Sequence, residues 1–245
     1  MKLLAIDRGN SRTKVGLRND NGELSIFIFD NSQESHILQF IQSQSFDASI
    51  MSSVAAEGIP SVSGHLLQQK FVLVDSQTPL PIKNNYATPE TLGTDRIAGA
   101  TGAWSIAGSK NVLLMDAGTC INYECVVDGT YIGGAIAPGL MMRLRAMHEF
   151  TGKLPLLEIP DATVDITGDS TKNCMLSGAV WGFVKEMEGI STHYKQTYPS
   201  LSVILTGGDE PYLGKYLKNS IFAPHKEVVL VGLLEILKYN LNVKN

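Results

Sequence analysis

LLAIDRGNS at residues 3–11 and VLLMDAGT at residues 112–119 share one pattern, in which an apolar run ends in aspartate and a glycine-containing polar loop follows. Nearly continuous apolar runs are typical of central strands that are buried on both faces. The two aspartates, Asp7 and Asp116, stand 109 positions apart, so the chain contains a weak internal repeat. The pattern therefore predicts two buried strands that each end in a polar loop.

The same kinds of elements follow both copies of this pattern. After the first copy, an Asn-Gly turn within residues 19–22 separates two apolar runs and predicts an antiparallel three-stranded meander, with a helix over residues 37–46. After the second copy, an Asp-Gly turn at residues 128–129 joins two more strands. A helix over residues 138–150 is expected next, with Pro138 in its first turn, where the missing N–H costs nothing.

Each half of the chain thus has the order β-β-β-α. This order predicts an α/β protein with two related domains, residues 1–110 and 111–245, each a mixed sheet flanked by helices. Further strands are expected over residues 48–54, 71–74 and 203–205, and further helices over residues 94–107 and 228–239.

A long helix is expected after Ser170, which is a good N-cap residue. Apolar side chains follow the helical spacing there and form a broad stripe. We interpret this stripe as core or as a subunit interface; its members are Met175, Leu176, Ala179, Val180, Phe183, Val184 and Met187.

The composition excludes several classes of protein. The 245 residues are 44% apolar and 18% charged, which is typical of a globular protein. The net charge of −4 and the absence of a basic stripe argue against nucleic acid as a partner. No apolar run is long enough to span a membrane, and three irregularly spaced cysteines do not form a disulfide framework. We therefore expect a cytoplasmic protein that binds neither nucleic acid nor membrane.

Small polar loops follow three of the predicted strands, at residues 7–11, 116–119 and 206–209. In mainly parallel sheets, ligands lie beyond the carboxyl ends of the strands, and glycine lets backbone N–H groups surround phosphate oxygens. The side chains that could add hydroxyl donors or positive charge are Ser11, Lys14 and Thr119. The loops predict a phosphate-binding cleft.

Asp7 and Asp116 are the carboxylates at the ends of the repeated strands. A nearby divalent cation would offset the cost of desolvating them, and Mg²⁺ prefers one or two carboxylates together with nucleotide phosphates. These parts suffice for phosphoryl transfer if a proton acceptor is present. Asp95, beside Arg96 at a predicted helix N-terminus, is either that acceptor or only a favourable first-turn acid.

The motifs, in their order along the chain, resemble those of the type III pantothenate kinase family. They are Asp7-x-Gly-Asn-Ser-x-x-Lys14, Tyr86-x-x-Pro89-x-x-Leu92-Gly93-x-Asp95-Arg96, Asp116-Ala-Gly-Thr119, Gly133-Gly134-x-Ile136-x-Pro138-Gly139, Ser170-Thr171 and Thr206-Gly-Gly-Asp209. The wider superfamily contains acetate and sugar kinases, chaperone ATPases and actin. The resemblance implies two ribonuclease-H-like domains with ATP in the cleft between them, assembled as a homodimer.

The activity that the resemblance implies is ATP-dependent phosphorylation of the primary hydroxyl of pantothenate to 4'-phosphopantothenate, the first step of coenzyme A biosynthesis. Asp95 matches the general base of the family. The residues that match the pantothenate-binding positions are Tyr86, Gly93, Thr94, Asp95, Arg96 and, from the partner subunit, Thr171. Those that match the ATP phosphate contacts are Asp7, Arg8, Gly9, Asn10, Ser11, Arg12, Thr13, Lys14 and Thr119.

Asp116 matches a ligand of the monovalent cation, potassium or ammonium, that the family requires, whereas the residues alone suggested magnesium there. Mg²⁺ is then expected to accompany ATP. The chain departs from the family at residues 120–124, which read CINYE where small residues, threonines and an acid are usual. Asn122 can still contact phosphate, since an amide both donates and accepts.

Two other functions fit parts of the sequence. A sugar or small-acid kinase of the same superfamily would share the loops at Asp7 and Asp116, but places its base in a different setting from residues 86–96. A non-catalytic regulatory relative would keep the fold for binding, but has no need of the base Asp95.

Overall fold

The computed structural model describes residues 1–53, 66, 70–108, 110–217, 222–224 and 227–243, with only the backbone of residues 222–224 and 243. Up to residue 106 the elements are β1 (Leu3–Arg8), β2 (Arg12–Arg18), β3 (Leu24–Asp30), α1 (Glu34–Ser43), β4 (Ala48–Ser53), β5 (Lys70–Leu73), β6 (Lys83–Asn84) and α2 (Thr94–Ile106). The later elements are β7 (Val112–Ala117), β8 (Cys120–Val127), β9 (Thr130–Pro138), α3 (Leu140–Glu149), α4 (Thr171–Thr197), β10 (Ser202–Thr206), α5 (Glu210–Leu213), β11 (Phe222–Pro224) and α6 (Val228–Val243).

The chain divides into two compact units. The described residues of the first unit belong to Met1–Ser109, Gly129–Ile132 and Val228–Asn245, and those of the second belong to Lys110–Asp128 and Gly133–Glu227. The division predicted at residue 110 assigned the final helix to the second domain. In the structure that helix, α6, is part of the first unit.

The sheet of the first unit has the strand order β3-β2-β1-β4-β5. β1 and β3 both pair antiparallel with β2, which confirms the predicted meander, and β4 lies parallel to β1. All six residues of β1 are buried, as expected for a central strand. One face of the sheet packs on α6 through Leu3 and Ala5, and the other packs on α1 through Leu4 and Ile6.

Helices α2 and α6 approach each other closely at two glycines. A Cβ atom on Gly102 of α2 would overlap the carbonyl oxygen of Val228, and one on Gly232 of α6 would overlap the carbonyl oxygen of Ala98. Each helix therefore needs glycine at its crossing point. Through this contact, α6 holds α2 in place within the first unit.

The sheet of the second unit has the order β11-β10-β7-β8-β9. β7 and β10 are parallel, and β7 pairs antiparallel with β8. The succession β7-β8-β9-α3 repeats β1-β2-β3-α1, which confirms the duplicated α/β fold. At the start of β9, residues 130–131 belong to the first unit and pair in parallel with β6.

The apolar stripe of α4 lies in the core of the second unit. All seven of its predicted members are buried there, with Phe183, Val184 and Met187 fully enclosed. The structure thus decides between the two interpretations of the stripe in favour of core. These side chains cannot also form a subunit contact.

Two predicted helices have different ends in the structure. α1 covers Glu34–Ser43 instead of 37–46, since its first turn follows directly on the 3₁₀ turn Asn31–Gln33. The prediction that Pro138 lies in the first turn of α3 is wrong, because Pro138 ends β9 and Gly139 is the extended N-cap residue. Val54, predicted to end the strand over residues 48–54, lies outside the described residues.

Candidate active site

Asp7 lies at the carboxyl end of β1, directly opposite Lys14 of β2. Paired residues on antiparallel strands project from the same face, so the carboxylate and the ammonium share one side of the sheet. Asp7 is only 9% exposed, and the Ser52 hydroxyl donates a hydrogen bond to its Oδ1 atom at 2.9 Å. The β-sheet register thus brings together two predicted site residues seven positions apart and adds Ser52, which sequence reasoning missed.

Asn31 gives the loop after β1 its shape. Its backbone N–H donates to the Ser11 carbonyl oxygen at 3.1 Å, and its Nδ2 donates to the Gly9 carbonyl oxygen at 2.9 Å. Its Oδ1 accepts from the Thr13 hydroxyl at 2.7 Å. One side chain at the end of β3 thereby fixes the loop, while the side chains of residues 10–12 remain exposed. Nothing in the sequence singled out Asn31.

Arg8 and Thr13 face away from Asp7. They are paired across β1 and β2, and because side chains alternate along a strand they project toward α1. Thr13 is fully buried with its hydroxyl bonded to Asn31, so its side chain supports the loop from behind. Arg8 is 8% exposed, and its Nε and Nη1 atoms have no hydrogen-bond partner within the described part of the chain. An anion near this guanidinium would offset the cost of burying it.

Asp95 is the second residue of α2 and is half-buried. Burial raises the pKa of its carboxyl above the usual range, although the Arg96 backbone N–H donates to Oδ1 at 2.8 Å and opposes this shift. The Thr94 hydroxyl makes a long hydrogen bond of 3.5 Å to the carbonyl oxygen of Ser53, the last residue of β4. β4 pairs with β1, so α2 begins at the same edge of the sheet as Asp7.

Tyr86 and Arg96, both predicted to bind substrate, are in contact in the first unit. The guanidinium carbon of Arg96 lies 5.7 Å from the centre of the Tyr86 ring. A third side chain, Tyr131 of β9, joins them: its ring stacks on Tyr86 with centroids 6.0 Å apart, and its hydroxyl accepts from Arg96 Nη2 at 3.3 Å. We call these three residues the Tyr86–Arg96–Tyr131 cluster.

Asp116 has the same setting in the second unit as Asp7 has in the first. It lies opposite Asn122 of β8 and beside Thr206 of β10. Asn122, which belongs to the segment that departs from the family sequence, therefore takes the place that Lys14 has in the first unit. The Asp116 carboxylate and the Asn122 amide therefore share one face of the sheet. Within the described residues, no group of three or more His, Cys, Asp and Glu side chains could form a metal site.

The loops after β7 and β10 meet at the start of α3. The N–H of Gly139 donates to the Thr119 carbonyl oxygen at 3.1 Å, and a Cβ atom at Gly139 would overlap the Gly118 carbonyl oxygen. The Asp209 backbone N–H donates to the Ala117 carbonyl oxygen at 3.0 Å. Burial raises the pKa of the Asp209 carboxyl, which accepts from the N–H of Leu140. Two of the three predicted loops are thus joined into one surface, on which Thr119 is exposed.

Thr171 is the first residue of α4 and is exposed. The Ser170 hydroxyl accepts from the Asn173 backbone N–H at 3.3 Å, which confirms the predicted helix cap. Of the predicted site residues, Asp116, Thr119 and Thr171 belong to the second unit. The Asp7–Lys14 loop, Tyr86 and Gly93–Arg96 belong to the first.

Two comparisons with solved structures establish the class of fold. A Baf family protein from Campylobacter jejuni, described as a transcriptional activator, is 22% identical with a TM-score of 0.61, covering 98% of this chain and 99% of that one. A ROK family glucokinase from Streptomyces griseus, solved with glucose and AMPPNP, is 10% identical with a TM-score of 0.55, covering 98% and 100%. At such identities the likeness shows the fold alone, which this chain shares with both proteins.

Sequence comparison then gives the family. The family model for type III pantothenate kinase matches residues 3–193. The type III pantothenate kinase of Christiangramia forsetii is 39% identical over 97% of this chain and 98% of its own length, and that of Flavobacterium johnsoniae is 36% identical over 98% and 99%. The chain belongs to the type III pantothenate kinase family.

Proposed function

We propose that this chain transfers the terminal phosphoryl group of ATP to the primary hydroxyl of pantothenate and so forms 4'-phosphopantothenate, the first step of coenzyme A biosynthesis. One observation carries the proposal. The half-buried carboxylate of Asp95, whose pKa is raised, lies on a helix that begins at the sheet edge of Asp7, and it is followed by Arg96 of the Tyr86–Arg96–Tyr131 cluster. Membership of the family supplies the identity of the acceptor.

The loop from Asp7 to Lys14 and the residue Thr119 are proposed to contact the phosphates of ATP. The exposed side chains of residues 10–12 and the charge of Lys14 suit a polyanion. Arg8, buried behind the loop, adds positive charge to it, and Thr13 acts by holding Asn31. Thr119 presents a hydroxyl beside the N-terminus of α3, where an anion is also favoured.

Two kinds of cation are part of the proposal. Mg²⁺ would enter with ATP, since it binds nucleotide phosphates with only one or two carboxylates from a protein. A monovalent cation, potassium or ammonium, would be held at Asp116, where Asn122 offers a second oxygen ligand. Bound there, such a cation would neutralise charge near the phosphates.

Asp95 is proposed to take the proton of the pantothenate hydroxyl. Carboxylates with an ordinary pKa of about 4 are poor bases for a neutral alcohol, but in a loose transition state the alcohol becomes acidic only late. Burial helps further, because it raises the pKa of Asp95 and thus its basicity. Gly93, Thr94 and Arg96 would place the substrate, with Arg96 and Tyr86 facing its anionic part.

The function can be tested by measuring ADP release with pantothenate and with a panel of sugars, each with and without potassium. We expect turnover with pantothenate that depends on potassium and that is about 10²–10⁴-fold lower in the Asp95→Asn variant, which serves as a control for contaminating kinases. Turnover with sugars alone would favour a sugar kinase. No turnover with any acceptor, together with a folded protein, would favour a regulatory relative.

The assembly is proposed to be a homodimer in the cytoplasm, with Thr171 reaching the substrate of the partner subunit. All three cysteines are free, which suits a reducing compartment. Among the described residues, no helix is long and apolar enough to cross a membrane. Since the α4 stripe is core, the dimer would have to use another surface. Mixing Thr171→Ala and Asp95→Asn subunits should restore part of the activity if Thr171 acts across subunits.

Asn31→Ala should weaken ATP binding, because it removes the side-chain bonds to Gly9 and Thr13 that hold the phosphate loop. Two hydrogen bonds of ordinary strength correspond to a rise in KM for ATP of about tenfold. The KM for pantothenate should not change. Asn21→Ala, at an exposed position in the β2–β3 turn, is the matched control. An unchanged KM for ATP in Asn31→Ala would show that the loop keeps its shape without this residue.

A further inference from the structure

Tyr131 is a fully buried side chain at the start of β9 that the sequence motifs did not include. Its backbone pairs with Asn84 of β6, and its carbonyl oxygen accepts from the Asn85 N–H at 3.0 Å. Residues 84 and 85 immediately precede Tyr86, whose own N–H donates to Asn84 Oδ1 at 3.1 Å. The main chain of Tyr131 therefore fixes the segment from which the Tyr86 ring projects.

The side chain of Tyr131 contacts both of its neighbours in the cluster. The ring stacks on Tyr86 with an angle of 28° between the planes, and the hydroxyl accepts a hydrogen bond from Arg96 Nη2. Arg96 in turn lies over the Tyr86 ring. Each of the three side chains thus touches the other two, and Tyr131 is the one that is wholly enclosed.

We infer that Tyr131 is a positioning residue for the acceptor substrate, which acts by holding Tyr86 and Arg96 in their binding geometry. This inference rests on the proposed function, since it concerns the same substrate site. A guanidinium has donors fixed in one plane, so an acceptor on one of them sets the direction of the others. Bidentate binding of the pantothenate carboxylate by Arg96 would require the guanidinium plane to have a fixed orientation.

Tyr131→Phe isolates the hydroxyl, because the phenyl ring keeps both the burial and the stacking on Tyr86. We expect the KM for pantothenate to rise about tenfold, as for the loss of one hydrogen bond to a charged group, with kcat changed less than about twofold and the KM for ATP unchanged. Tyr131→Leu, which also removes the ring, should raise the KM for pantothenate further.

Tyr123→Phe is the matched control. Tyr123 is the other fully buried tyrosine among the described residues, on the adjacent strand β8, and its hydroxyl donates to Glu186 at 2.8 Å in the second unit. Loss of the Tyr123 hydroxyl should lower the free energy of unfolding, as Tyr131→Phe does, but should leave the KM for pantothenate as in the wild type. Equal effects of the two variants on both KM values would reduce Tyr131 to a structural residue and overturn the inference.

A measurement without substrate separates this inference from the proposed function. In a double-mutant cycle on unfolding, Tyr131→Phe and Arg96→Met should be clearly non-additive, since the bond between them is lost in either variant. Additive effects would overturn the inference whatever the acceptor proves to be. Failure of the proposed function would appear differently, as a wild-type protein that does not phosphorylate pantothenate.

Discussion

Asp95→Asn is expected to lower kcat with pantothenate by about 10²–10⁴-fold, the usual contribution of a general base. The amide has the size of the carboxylate and can still accept from the Arg96 N–H, but it cannot take up a proton. The KM for ATP should change little, because the phosphate loop is untouched. Steady-state kinetics of the purified variant measure both values, and activity like that of the wild type would remove Asp95 as the base.

The same variant should be at least as stable as the wild type. Burial raises the pKa of Asp95 in the folded protein, so the folded state holds its proton to a higher pH than the unfolded chain does. Stability therefore falls as the pH rises from the unfolded to the folded pKa, and above the folded pKa the wild type carries the full cost of the buried charge. Asparagine does not carry that cost, so loss of activity in this variant will not reflect unfolding.

The raised pKa of Asp95 also sets the acid side of the pH profile. Because only the deprotonated carboxylate accepts a proton, kcat/KM for pantothenate should fall as the pH drops through this pKa, at a higher pH than an ordinary aspartate would give. Asp128→Asn, which changes an exposed acid in the β8–β9 turn, should keep the wild-type profile. If kcat/KM for pantothenate stayed constant down to the usual pKa range of aspartate, Asp95 would not be the base.

Gly232→Ala is expected to have the largest effect on stability. Its methyl group would overlap the carbonyl oxygen of Ala98, and neither backbone can move without separating α2 from α6. Overpacking of this kind lowers the free energy of unfolding by about 2–3 kcal/mol. Activity should fall as well, because α2 carries Asp95 at its first turn. Urea denaturation followed by circular dichroism measures the change in stability.

Gly189→Ala is the matched control for this prediction. Gly189 lies inside α4 and is exposed, and a Cβ atom there would meet no neighbouring atom within 4 Å. Alanine at this position should raise the free energy of unfolding by about 0.5–1 kcal/mol, since it favours the helix more than glycine does. If both variants had the same effect on stability, the close crossing of α2 and α6 would not be the cause.

The elements that could be predicted from the sequence are those whose signals are local. The buried runs that end at Asp7 and Asp116 indicated both central strands, and the Asn-Gly and Asp-Gly turns indicated the hairpins. The cap at Ser170 follows from its residue type and the apolar stripe of α4 from helical spacing, whereas the choice between core and subunit interface required the structure. The prediction for Pro138 was wrong because proline is tolerated at the end of a strand that has a free edge there, as well as in the first turn of a helix.

The parts of the candidate site that sequence reasoning missed depend on contacts between distant segments. Asn31 bonds to Gly9 only because β3 ends beside the loop after β1, and Ser52 meets Asp7 only through the register of β4 with β1. Tyr131 lies beside Tyr86 only because β9 pairs with β6. Tyr131 could have been identified only by pairing the proline-rich segment with β9, a strand that starts about 45 residues later. No local pattern in the sequence indicates that pairing.

The docking of α6 on α2 has a consequence for biosynthesis. Residues 228–243 leave the ribosome after the whole of the second unit, more than a hundred residues behind the helix that they support. In a nascent chain that has not yet reached residue 228, α2, which carries Asp95, would lack its contact with α6. The apolar surface of β1 and β4 would then be exposed to chaperones. In stalled chains, β1, β4 and α2 should therefore become resistant to protease only once α6 has left the ribosome.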